Sequence, residues 1–124
     1  MKLREIRDEI KKQYKDSVII IKYGNFYRVF DEDTYIIHYL KNYKIHDNIV
    51  GFPINIINNI KKELDSISVS YIIYDKCMIN YNNIYNQYEV VLKLSKEKYE
   101  KEILLDKIKE LNINEIKEII DIYG

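Results

Sequence analysis

Residues that break, staple or metallate a fold are scarce in this chain. Its 124 residues include three glycines, one proline, one cysteine, two histidines and no tryptophan. A single thiol, Cys77, cannot close an internal disulfide, which excludes a disulfide-stapled scaffold and fits a reducing compartment. With so few glycines, the phosphate-cradling string Gly-x-x-x-x-Gly-Lys-Ser/Thr does not occur, so these residues hold no P-loop. Nothing clusters Cys and His at zinc spacing, and no cofactor is expected. No apolar run approaches the roughly 18 residues of a membrane span. The first eight residues mix both charge signs and lack the apolar centre of a signal peptide. A cytoplasmic protein without a membrane partner is the expectation.

Net charge is missing too. Twenty Lys and Arg balance twenty Asp and Glu. Bulk positive charge therefore cannot drive non-specific nucleic-acid binding, and any such contact needs a local patch. What is present is 47% hydrophobic and 32% charged residues, with thirteen tyrosines. That mix buries one core and stays dissolved, and the length suits one domain.

Apolar positions at Leu3, Ile6, Ile10 and Tyr14 recur three and four apart, which predicts an amphipathic helix over residues 2–14. Residues 18–23 read as a buried β-branched strand, and residues 26–30 as a second strand joined to it by a Gly24-Asn25 turn. Asp31-Glu32-Asp33 supplies capping oxygens and negative charge before a helix over residues 34–40. A short strand follows at residues 49–53. A helical stripe then runs through Ile56, Ile57, Ile60, Leu64 and Ile67, and another strand covers residues 69–74. Residues 78–94 read as a hairpin turning near Asn82-Asn83, with residues 87–94 as its second arm. From Ser95, an N-cap candidate, Tyr99, Ile103, Leu104, Ile108 and Leu111 make a helical face. A shorter helix with Ile116, Ile119, Ile120 and Tyr123 restarts at Asn112 or Asn114. The order predicts an α+β fold, a mixed β-sheet flanked by helices.

A chain so poor in glycine is expected to use it where the backbone or a neighbour leaves no room for a Cβ. Gly24-Asn25-Phe26-Tyr27-Arg28 and Val50-Gly51-Phe52-Pro53 are therefore read as its most constrained places. Together they resemble the N-terminal mismatch-recognition domain, domain I, of the MutS mismatch-repair family, here as a stand-alone protein. That domain runs helix, apolar strand, Gly-Asp-Phe-Tyr-Glu-hydrophobic-Phe, an acidic stretch and a helix. A loop, Ala-Gly-hydrophobic-Pro, a helix and a strand follow. Lys11 through Phe30 fits the frame without a gap, and the resemblance covers roughly residues 5–94. It implies a domain I-like module over residues 1–94, with added C-terminal helices over residues 95–124 that either join the same compact unit or dock a partner.

In the family, the motif's phenylalanine stacks on a mispaired base from the minor groove, and the glutamate two residues later bonds that base. By resemblance Phe26 is the wedge, with Gly24, Asn25, Arg28 and Lys22 as the surrounding DNA-binding residues. Residues two apart on a strand share a face, so such a pair can act together. Arg28 stands in place of the glutamate. Guanidinium donates hydrogen bonds, cannot accept them and stays charged, so it favours the minor groove and phosphates of any duplex over one mispair. Asn25 in place of aspartate removes another negative charge. Duplex or mismatched DNA is the implied partner. The alternative is a MutS-derived module that no longer binds DNA and uses residues 95–124 for a homodimer or a protein partner.

Each residue also has a plainer reading. Phe26 in a strand could be core, whereas Tyr27 and Val29 face the other way and are core under either reading. Arg28 could be an ordinary solvated charge. Lys15, Lys22, Lys41 and Lys44 could add phosphate contacts, offset by Asp31, Glu32 and Asp33. The Asp31/Asp33 pair is explained by helix capping, Cys77 by a small buried hydrophobe, and His38 by packing on a helix. No constellation for catalysis appears, and an enzyme is not expected.

Overall fold

The structure, a computed structural model, describes residues 2–82 and 84–110, with the side chains of residues 78–81 left aside. Four helices and five strands occur among them: α1 (Leu3–Gln13), β1 (Ser17–Tyr23), β2 (Phe26–Phe30), α2 (Asp33–Lys41), β3 (Ile49–Pro53), α3 (Ile57–Ser66), β4 (Ser70–Asp75), β5 (Cys77–Asn82) and α4 (Tyr88–Glu110). A single 3-10 turn, Ile54–Ile56, leads into α3.

The strands form one mixed sheet in the order β3-β2-β1-β4-β5. β1 pairs antiparallel with β2 and parallel with β4, from Ser17 opposite Ser70 to Ile21 opposite Tyr74. Being central, β1 is covered on both faces, and this is why Val18, Ile19, Ile20 and Ile21 form an unbroken apolar run with no exposed surface. One face packs Val18, Ile20, Tyr27, Val29, Val50, Phe52, Tyr71 and Ile73 beneath α2, α3 and the start of α4. The other packs Ile19, Ile21, Phe30 and Ile72 against Leu3, Ile6 and Ile10 of α1 and Tyr14 just past its end. Tyr27 and Val29 are core, as the alternation requires.

Three expectations need correction. The hairpin of residues 78–94 does not form: β5 pairs with the preceding strand β4, turning at Lys76 (φ 61°), and residues 88–94 are helical. Tyr88, Val90, Leu92 and Leu94 alternate like a strand, but Tyr88, Val91, Leu92, Ser95 and Tyr99 also share a helical face, and that face is the one that packs. Ser95 is accordingly not an N-cap. It lies buried inside α4, which runs without a break across residues 94 and 95. Cys77 is exposed rather than buried, because it directly follows the Lys76 turn at the sheet's edge. The second C-terminal helix expected beyond Asn112 lies outside the described residues.

Asp31-Glu32-Asp33 also serves differently from the capping expected of it. No side chain caps α2. Asp33 is instead wholly buried, accepting hydrogen bonds from Lys11 Nζ (2.8 Å), the Tyr88 hydroxyl (2.5 Å) and the Ile19 amide (3.1 Å). Burial pushes this carboxyl up, against the pull of the Lys11 ammonium and the other two donors. Four elements, α1, β1, α2 and α4, therefore meet at one carboxylate.

Candidate nucleic-acid interface

The sheet face beneath α1 is only partly covered. α1 begins at Leu3, and beyond it the last residues of β1 and the first of β2 face solvent. Tyr23 and Phe26 lie directly opposite each other across the turn and are 58% and 51% exposed. A leucine or isoleucine buried there would contribute about 1.5–3 kcal/mol. Two aromatics left in water at a hairpin tip forgo that gain. Gly24 makes the turn possible, with φ at +62°, and its space is open: no atom lies within 4 Å of where a Cβ would stand.

Arg28 shares the face of Phe26, two residues along β2, and its guanidinium carbon sits 5.1 Å from the centre of the Tyr23 ring. Gly51 is its cross-strand partner on β3. The expectation that neighbours crowd Gly51 is not met: an added Cβ would meet only the Tyr27 carbonyl oxygen, at 3.8 Å. What Gly51 does is keep the sheet surface beside Arg28 flat.

Two shallow hollows border this surface. One is lined by Phe26, Arg28, Tyr43, Lys44, His46 and Asp47, with Ile49 and Gly51 as its floor. Its rim is the tight turn in which His46 and Ile49 exchange backbone hydrogen bonds, with Asp47 and Asn48 both at positive φ. The other lies between Lys2, Leu3, Tyr23 and Arg28. Arg28 and Lys44 share the first hollow with Asp47, Lys2 shares the second with Arg28, and none of the three cations is in a salt bridge among the described residues. The acidic stretch does not offset them, being taken up by α1: Arg4 pairs with Asp31, Arg7 with Asp31 and Glu32, and Lys11 with Asp33.

Of the residues singled out from sequence, Gly24, Asn25, Phe26 and Arg28 come together at this tip. Asn25 is exposed and uses its carbonyl to accept from the Ile54 amide at 3.2 Å. Lys22 does not join them. It pairs with Tyr27, on the opposite side of the strand from Phe26, and its ammonium lies 3.4 Å from Asp75. Lys41 contacts Asn59 and Glu63, and Lys15 lies at the far end of β1. Sequence reasoning missed Tyr23, Lys2 and His46. The register of a two-residue turn was the signal for Tyr23, since it fixes Tyr23 opposite Phe26.

The tip thus brings two aromatics, a guanidinium and two lysines without a salt bridge among the described residues to an uncovered end of a mixed sheet. No group of His, Cys, Asp or Glu suited to a metal ion occurs among the described residues. None of their helices is long and apolar enough to cross a membrane. The family model for MutS domain I matches residues 7–78, more than half of the chain, and the chain belongs to that family. Domain I of MutS is a non-catalytic DNA-binding domain concerned with mismatch recognition. No curated protein matches the chain.

Proposed function

We propose that this domain binds duplex DNA through the uncovered sheet end, with Phe26 inserting at a base step and Arg28 contacting the minor groove or phosphates. The observation that carries the reading is Phe26, half exposed at the hairpin tip on the same face as Arg28. An apolar wedge unstacks a base step at a cost of a few kcal/mol, and an aromatic stack returns about 1–3 kcal/mol. A mispaired step resists less, so the wedge favours distorted DNA without reading a base. Arg28, Lys44 and Lys2 supply a local positive patch despite the zero net charge.

Arg28 makes the preference for a mispair weaker than an acceptor there would, because guanidinium attracts every duplex alike. The test is a fluorescence titration of matched and mismatched duplexes over a salt series. Binding to both, tighter for the mismatch and falling steeply with salt, is expected. No binding to either duplex at low salt overturns the reading. That outcome would favour a domain adapted to protein contacts, a reading that draws on the exposed apolar residues of α4.

A further inference from the structure

α4 has two apolar faces. One, with Tyr88, Val91, Leu92, Ser95, Tyr99 and Glu102, lies on the domain. The other carries Val90, Leu94, Glu97, Lys101, Leu104 and Ile108, in alternating steps of four and three. That is the spacing of a coiled-coil seam. Val90, Leu94 and Leu104 are 56%, 52% and 58% exposed, and Glu97 and Lys101 lie in solvent. Tyr39 of α2 and Leu105 flank the seam, sharing a shallow groove with Leu94 and Lys101.

The two charges in mid-seam identify the occupant. A charge in a seam lowers stability unless its partner answers it, and it then dictates register. A parallel pairing of two copies would set Glu97 on Glu97 and Lys101 on Lys101. An antiparallel two-fold axis between them sets Glu97 of each copy on Lys101 of the other. The same register places Leu94 against Leu104 and Val90 against Ile108, so every layer is matched.

We infer that a second copy of this chain covers this face, α4 against α4, antiparallel and in that register. α4 packs on α2, on the side of the sheet away from Phe26 and Arg28, so each copy keeps its uncovered sheet end. The pairing does not depend on DNA binding; it specifies the protein-contact reading, and the two stand or fall by separate measurements.

Sedimentation equilibrium of the full chain tests it, at roughly 100 µM because a short seam sits at the weak end of interfaces. Wild type is expected to be a reversible dimer. Glu97→Lys and Lys101→Glu each place like charges in two layers and should raise the dissociation constant about tenfold or more, and the double swap should restore it. Both positions are exposed in the single chain, so circular dichroism should stay constant throughout. A monomeric wild type, or a double swap no better than either single reversal, overturns the inference.

Discussion

The Tyr88 hydroxyl donates to the Asp33 carboxylate across 2.5 Å, tying the first residue of α4 to the first residue of α2. The same carboxylate takes Lys11 from α1 and the Ile19 amide from β1. Burial, then the neighbouring Asp33 carboxylate, raises the Tyr88 phenol far above its usual range, so it acts as a donor at every working pH.

Removing the two partners should therefore have unequal effects. Tyr88→Phe removes the bond to Asp33 and the one the hydroxyl accepts from Lys11 (2.9 Å), yet leaves Asp33 two donors, costing about 1–2 kcal/mol. Asp33→Ala strands a nearly buried ammonium, a phenol and an amide, costing about 3 kcal/mol or more. Urea midpoints measure both, and equal losses would show that Asp33 is not the hub.

The two internal glycines should also part company. Gly24→Ala places a Cβ on a left-handed residue and should cost about 1 kcal/mol. Gly51→Ala meets nothing closer than 3.8 Å and should stay within about 0.5 kcal/mol of wild type. Gly51→Tyr should likewise fold, yet weaken duplex binding by raising a ring beside Arg28. Thermal melts and DNA titrations of the same samples separate the two effects.

His38 joins α2 to α4. Its Nδ1 lies 2.7 Å from the Tyr43 carbonyl and its Nε2 lies 2.6 Å from Glu102. The hydrogen bond from His38 holds the Glu102 carboxyl below its ordinary value. A depressed acid stabilises the fold above its unfolded-state value and loses that contribution as pH falls through the folded one. Glu102→Gln should therefore lower stability near neutrality, and the gap from wild type should close as pH falls below the ordinary glutamate value. Urea midpoints between those limits measure it, and a gap independent of pH would contradict it.

Exchanging Arg28 probes discrimination. Arg28→Glu puts an acceptor on the face of Phe26 and should lower affinity for matched duplex more than for mismatched, with a shallower salt slope. Equal losses on the two duplexes would remove Arg28 from any part in specificity.

Much of this was legible in the chain because β-branched runs and three-four spacing are local signals. The first hairpin, the helices from Leu3 and Asp33 and the shared face of Phe26 and Arg28 all follow from periods of two or 3.6. The failures lie where local signals tie or where distance decides. Residues 88–94 fit a strand through Tyr88, Val90, Leu92 and Leu94 and a helix through Tyr88, Val91 and Leu92, and the bond that favours the helix spans 55 residues to Asp33. Asp33 looked like a cap because nothing local reveals that Lys11 will sit above it. Lys22 left the site through cross-strand register, which sets it opposite Tyr27. Gly51 looked confined, but the strand beside it leaves open space.

The role of Phe26 is tested most directly by comparing wild type with Phe26→Ala on one mismatched duplex at low salt. The residue is half exposed and outside both core clusters, so the variant should keep the wild-type melting curve. Wild type should bind, and Phe26→Ala should lose both its preference over matched DNA and roughly tenfold in affinity, the loss of about 1.4 kcal/mol expected for one aromatic stack. An unchanged affinity and preference in Phe26→Ala would contradict the wedge and move any DNA contact elsewhere on the molecule.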